Sequence, residues 1–208
     1  MGYHEEQESI ENLKAWWTEW GNLVTWVMLV AVFAAAAWNG WHFWQRRQAA
    51  QAAVLYDHVQ QAAENGDKAL LASATAEMEN RFGSTAYAPM TALLAARTLY
   101  QAGDEAGAKA QLQWSVDHAK DDEFRQIAKL RLASLLLDEK AYDQGLALLT
   151  QPQSGPFKGL VANGRGDLLA AAGRRDEARA AYQLALDSLP KDDPSRQLVQ
   201  IKLDALGS

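Results

Sequence analysis

Between Gly21 and Trp44 the chain runs 24 residues without Asp, Glu, Lys or Arg. A helix needs roughly 20 apolar residues to cross a bilayer, so this stretch is long enough. Its tryptophans fit that use: Trp16, Trp17 and Trp20 flank one end, and Trp38, Trp41 and Trp44 the other. Indole joins a large apolar ring to one N–H donor, and it settles where hydrocarbon meets headgroups. A helix from Trp20 to Trp41 covers about 31 Å, close to the hydrocarbon thickness of a membrane. The reading is a transmembrane helix over 21–44.

Two other uses of the segment compete with this one. A cleaved signal peptide would place its small-residue site at Ala34–Ala37, but it wants a positive start. Glu5, Glu6, Glu8, Glu11 and Glu19 stand there against Lys14 alone. A buried soluble helix is rarely this long without a charge. Ahead of the span, Ile10, Leu13, Trp16, Trp17 and Trp20 recur at helical spacing. Residues 1–20 read either as a short acidic amphipathic helix on the membrane surface or as the first turns of the spanning helix. Orientation stays open on charge: Lys14 and the α-amino group face Arg46 and Arg47, a near tie leaning towards a cytoplasmic C-terminal side.

From residue 45 to 208 the pattern changes to alanine-rich helical periodicity with regular breakers. Gly66, Gly103 and Lys140 are 37 residues apart, and Gly173 follows after 33. A helix–turn–helix period near 34 is the signature of tetratricopeptide repeats. The fold class is therefore all-α: one transmembrane helix followed by a tetratricopeptide-like solenoid. The last repeat is clearest. Gly166 and Ala178 let two helices approach, Gly173 turns between them, Tyr182 and Ala185 pack, and Pro190 ends the second helix. The repeat from Gln126 has Lys140 at the turn and Gly145 at the small position, and Gln151–Pro156 cuts its second helix short. The unit around Gly66 is weak and fits an atypical capping pair. A final helix, Ser195 to Leu206, is expected to cap the stack.

Such a stack offers a groove lined by the first helix of each pair. The register puts Met90, Leu93, Arg97, Tyr100, Leu130, Ser134, Leu137, Asn163 and Asp167 there. Several are large and apolar, which suits an apolar segment or a partner helix; the same leucines also fit packing within the stack. Of the Lys/Asn clamp that such domains use for a C-terminal carboxylate, only Asn163 matches. Catalytic or metal chemistry is not expected. The chain has no Cys, and His4, His42, His58 and His118 lack metal-ligand spacing. No phosphate-binding loop, nucleophile elbow or HExxH is present. A net charge of −6 argues against non-specific nucleic-acid binding. No cofactor is expected, and no enzyme. Asp121–Glu123 reads as a solvated helix start, and Asp192–Pro194 as a loop.

The segment YHEEQESIENLKAWWTEWGN resembles the start of the YfgM-like ancillary subunits of the SecYEG translocon. The matching positions are Glu5, Glu6, Gln7, Glu8, Ile10, Leu13, Lys14, Trp16, Trp17 and Gly21. The order of elements matches over essentially the whole chain. The resemblance implies an inner-membrane protein of a Gram-negative bacterium, with a cytoplasmic N-terminus and a periplasmic repeat domain. It implies association with SecYEG and with the membrane-anchored chaperone PpiD, a part in passing exported clients to folding factors, and a link to an envelope stress response. Arg46 and Arg47 lean against that topology, although a long domain can translocate regardless of flanking charge. The rival reading is a cytoplasm-facing membrane-anchored adaptor.

Overall fold

The computed structural model describes the backbone of residues 3–150 and 155–207, and the side chains of these residues except 3–13 and 15. Among the described residues there are nine helices and no strand. They are α1 (Tyr3–Asn65), α2 (Lys68–Phe82), α3 (Tyr87–Gln101), α4 (Glu105–His118), α5 (Asp122–Asp138), α6 (Tyr142–Leu148), α7 (Lys158–Ala171), α8 (Arg175–Ser188) and α9 (Ser195–Ala205). Contacts divide the chain into two units, Met1–Gln48 and Ala49–Ser208. The amphipathic lead and the span are one unbroken helix, because α1 passes through both.

In the first unit, α1 contains one stretch long and apolar enough to cross a membrane. The large apolar side chains from Trp16 to Trp44 are exposed, Phe33 by 72%. A soluble helix that leaves this much apolar surface unpartnered is costly in water, whereas a helix in lipid is not.

The second unit is four helix pairs and a cap. The end of α1 packs on α2 through Val59, Ala62, Leu71 and Ala74, and α3 pairs with α4, α5 with α6, and α7 with α8; α9 packs on α8. Each pair turns in the same way. The backbone N–H of Asp67, Asp104, Ala141 and Arg174 donates to the carbonyls of Ala62, Leu99, Leu136 and Leu169 at 2.8–2.9 Å. That closure needs a left-handed residue just before the donor. Gly66, Gly103 and Gly173 supply it at φ of 66°, 79° and 77°, and Lys140 supplies it at 61°. Asp67 and Asp104 then cap the next helix, accepting from Leu70 and Gly107 N–H at 2.9 Å each. Asp121 caps α5, so the acidic run is a helix start, as its sequence suggests.

Small residues set the spacing within and between pairs. A Cβ on Gly166 would stand 2.4 Å from the Tyr182 ring, and one on Gly145 2.7 Å from Leu168. The weak repeat around Gly66 is a helix pair: Val59 and Ala62 of α1 are buried with Leu71, Ala74 and Ala95. Helix α6 has only seven residues. Of the stretch Gln151–Pro156 expected to cut it short, residues 151–154 lie outside the described residues. The cap α9 buries Val199 against Ala162, Leu169 and Tyr182, and leaves Leu198 and Ile201 exposed.

Candidate functional site

The first helices of the pairs share one side of the second unit, and three hollows follow one another along it. The first, about 220 Å³, lies between the end of α1 and α3, with Tyr56, Gln60, Glu64, Leu94, Arg97 and Thr98 among its walls. The second, about 350 Å³, is bounded by Ala96, Arg97 and Tyr100 of α3, Ala108 and Leu112 of α4, and Arg131, Ser134, Leu135 and Asp138 of α5. The third, about 230 Å³, lies between α5 and α7 and is lined by Leu130, Ser134, Leu137, Leu160, Asn163 and Asp167, with others.

The structure therefore brings Arg97, Tyr100 and Ser134 together in one hollow, and Leu130, Ser134, Leu137, Asn163 and Asp167 in the next. Met90 and Leu93 line none of the three. Leu93 is buried with Ala96, Leu112 and Leu132, because its position on α3 faces α4 and α5. Met90 is half-buried near the start of α3.

The polar groups of the third hollow already have partners. Lys202 of the cap donates to Asn163 Oδ1 at 3.2 Å and to Asp167 at 2.8 Å. The Tyr182 hydroxyl donates to Asp167 Oδ1 at 2.8 Å. Burial and that carboxylate both push the Tyr182 hydroxyl far above its ordinary range. The cap thus fills a clamp position from within the chain. The second hollow differs. Its walls are mostly apolar, and two guanidinium groups, Arg97 and Arg131, stand at it with one carboxylate, Asp138. Arg131 reaches the Leu93 carbonyl only at 3.4 Å, so its donors are largely unspent.

Arg131 is absent from the sequence-based groove set, as is a series of arginine clasps. Arg125 donates to the Ala119 carbonyl at 2.6 Å, beyond the end of α4. Arg165 donates to Leu146 and Leu149 carbonyls at 3.2 and 2.8 Å, at the end of α6. Arg196 does the same for Leu186 and, at 2.9 Å, Leu189 at the end of α8. Each clasp joins the first helix of the next pair, or for Arg196 the cap α9, to the last carbonyls of the pair before it, where the helix dipole favours a cation. The signal in sequence is an arginine in each following helix, near the start of α5 and α9 but midway along α7, which is visible only once the boundaries are known.

In the first unit, Trp41 and Trp44 lie with ring centroids 5.5 Å apart, and Trp16 and Trp17 6.4 Å apart. The Trp17 ring covers Gly21, where a Cβ would come within 3.1 Å of the indole. Trp20 and Lys14 are exposed. The side chains of Glu5 and Glu6 lie outside the described residues. Among the described residues no group of three or more metal-ligating side chains is gathered.

The chain matches the family described as a tetratricopeptide repeat-like domain over residues 14–208. It is 31% identical to a protein of Neisseria gonorrhoeae named ancillary SecYEG translocon subunit, with 97% of each chain covered. Proteins of the same name from Haemophilus influenzae and Escherichia coli are 26% and 25% identical. These alignments cover 97% and 89% of this chain, and 98% and 89% of theirs.

Proposed function

The chain belongs to the tetratricopeptide repeat-like family of ancillary SecYEG translocon subunits, and on that premise we propose that it is a non-enzymatic, membrane-tethered scaffold of the Sec translocon. The observation that carries this is the union in one chain of an apolar, exposed α1 and a repeat stack, matched end to end by relatives of that name. One N-terminal apolar helix and such relatives fit a single-pass inner-membrane protein.

The N-terminus is cytoplasmic and the repeat domain periplasmic in this proposal. Residues 1–20 lie at the membrane surface, 21–44 cross it, and 45–208 receive partners. Those partners are SecYEG, the periplasmic chaperone PpiD and exported client proteins. Tethering raises the effective concentration of the repeats beside the pore, so weak contacts suffice. The hollows along α3, α5 and α7 form the groove. Its central hollow takes an apolar side chain, and Arg97 and Arg131 hold an acidic group or backbone carbonyls next to it.

Trp16, Trp17, Trp20, Trp41 and Trp44, with Lys14, Glu5 and Glu6, are the membrane-interface set of the proposal. The test is co-purification of the full chain with SecYEG in mild detergent. Replacing Trp16 and Trp17 together with Ala lowers recovery of SecYEG several-fold at equal expression. Unchanged recovery would overturn the assignment of this face to the translocon.

A further inference from the structure

On the second helices, away from the groove, α2 and α4 enclose another hollow of about 240 Å³, floored by α3. It shares no residue with the three groove hollows. Leu71, Ala72, Ala76, Ala95 and Leu99 give it apolar walls. Thr75, Glu79, Asp104 and Gln111 are its polar lining, and none of the lining residues is basic.

Asp104 accepts from the Gly107 N–H at 2.9 Å, but three other oxygens here are unspent. Thr75 is 3% exposed, and its Oγ1 has no hydrogen-bond partner. Glu79 Oε1 and Gln111 Oε1 are buried and also without one. Leaving such atoms unpaired costs the desolvation of each. Burial raises the Glu79 carboxyl above its ordinary value, and Gln111 and His118 offset this only in part. The Gln111 side chain already hydrogen-bonds Glu79, and what the hollow lacks is a further donor for the three remaining oxygens, preferably a charged one. A metal ion is poorly matched, because it wants several oxygens converging on one point and only two carboxylates stand here, on different helices. A fork of N–H donors on an apolar stem matches better: the head serves separate acceptors while the methylenes lie on alanine and leucine.

We propose that this hollow receives an arginine side chain from a partner protein, its guanidinium donating to Glu79, Gln111 and Thr75 and its stem lying along Leu71, Ala72 and Ala76. The repeat domain then has two docking faces, a groove on the first helices and a cation socket on the second.

The test uses the full chain in nanodiscs of zwitterionic lipid, titrated with N-acetyl-arginine amide and followed by the amide resonances of Gly107 and Gln111. The expected result is saturable shifts with a Kd on the order of 1 mM. Glu79→Gln weakens binding at least ten-fold, Thr75→Val by two- to five-fold, and Asp192→Asn, at an exposed turn before α9, leaves it unchanged. Gln111→Leu, read on Gly107, carries the same test if Glu79→Gln does not fold. The proposal fails if the shifts do not saturate. It fails equally if N-acetyl-leucine amide or sodium chloride at equal ionic strength reproduces them, or if they survive Glu79→Gln.

Discussion

Lys140 shows how far one residue can depart from its repeat without losing the turn. It adopts φ 61° where the other three pairs use glycine. Its Cβ makes that conformation unfavourable by about 1 kcal/mol. Lys140→Gly therefore stabilises the full chain by about 1 kcal/mol, a rise of ~2–4 °C in the melting temperature. Gly173→Val, at φ 77°, acts in the opposite direction and costs about 2 kcal/mol. A thermal melt of both variants in detergent reads the two signs. Glu79 adds a pH dependence. Its folded pKa lies above the ordinary glutamate value because burial disfavours the charge, so the folded state holds the proton more tightly than the unfolded one. Stability conferred by the protonated form is lost as pH rises from the ordinary glutamate value through the raised one. At neutral pH the charged Glu79 is a net cost, despite Gln111 and His118. Glu79→Gln thus melts higher than the unsubstituted chain at pH 7, and the gap closes towards pH 4. An equal gap at both values would mean that the charge is not the cause.

Helix α6 illustrates what an element needs from its neighbours. Seven residues do not hold a helix alone, because nucleation is costly and only a few bonds repay it. Its last carbonyls are instead held by Arg165 from α7, and Leu149 is buried with Ala133, Val161 and Leu168. Arg165→Leu removes both charged hydrogen bonds and destabilises the chain by about 1–2 kcal/mol. Amide exchange should speed up in α6 more than in α8, whose end is held by Arg196. Uniform acceleration across the stack would show that the clasp is not local. The turns between elements are legible in the sequence because each depends on a local residue: Gly66, Gly103 and Gly173 announce left-handed backbone, and Asp67 and Asp104 announce caps. The clasps and the tie of Lys202 to Asp167 are not legible in that way. Their partners are set by which helices pack, and Lys202 and Asp167 are separated by 35 residues.

At the scale of the whole molecule, a charge-free stretch and a recurring turn each carry one part of the architecture. The stretch is legible because lipid and water select opposite surfaces, and exposed Trp and Phe along α1 keep that contrast in three dimensions. The repeat stack is legible because its period survives even where single positions do not. The groove is only partly so: period alone cannot tell that Leu93 turns inward, or that Asn163 and Asp167 are taken by the cap. Nor can it fix which side of the membrane the stack occupies, since Lys14 stands before the span and Arg46 and Arg47 after it. The central claim is a translocon scaffold with its repeats in the periplasm. The measurement that tests it most directly is protease digestion of a C-terminal tag on the full chain in intact spheroplasts, with a cytoplasmic protein as leakage control. With the repeats in the periplasm, the tag is digested while the control survives. A tag protected until lysis would contradict it and place the repeats, with every partner assigned to them in the periplasm, on the cytoplasmic side.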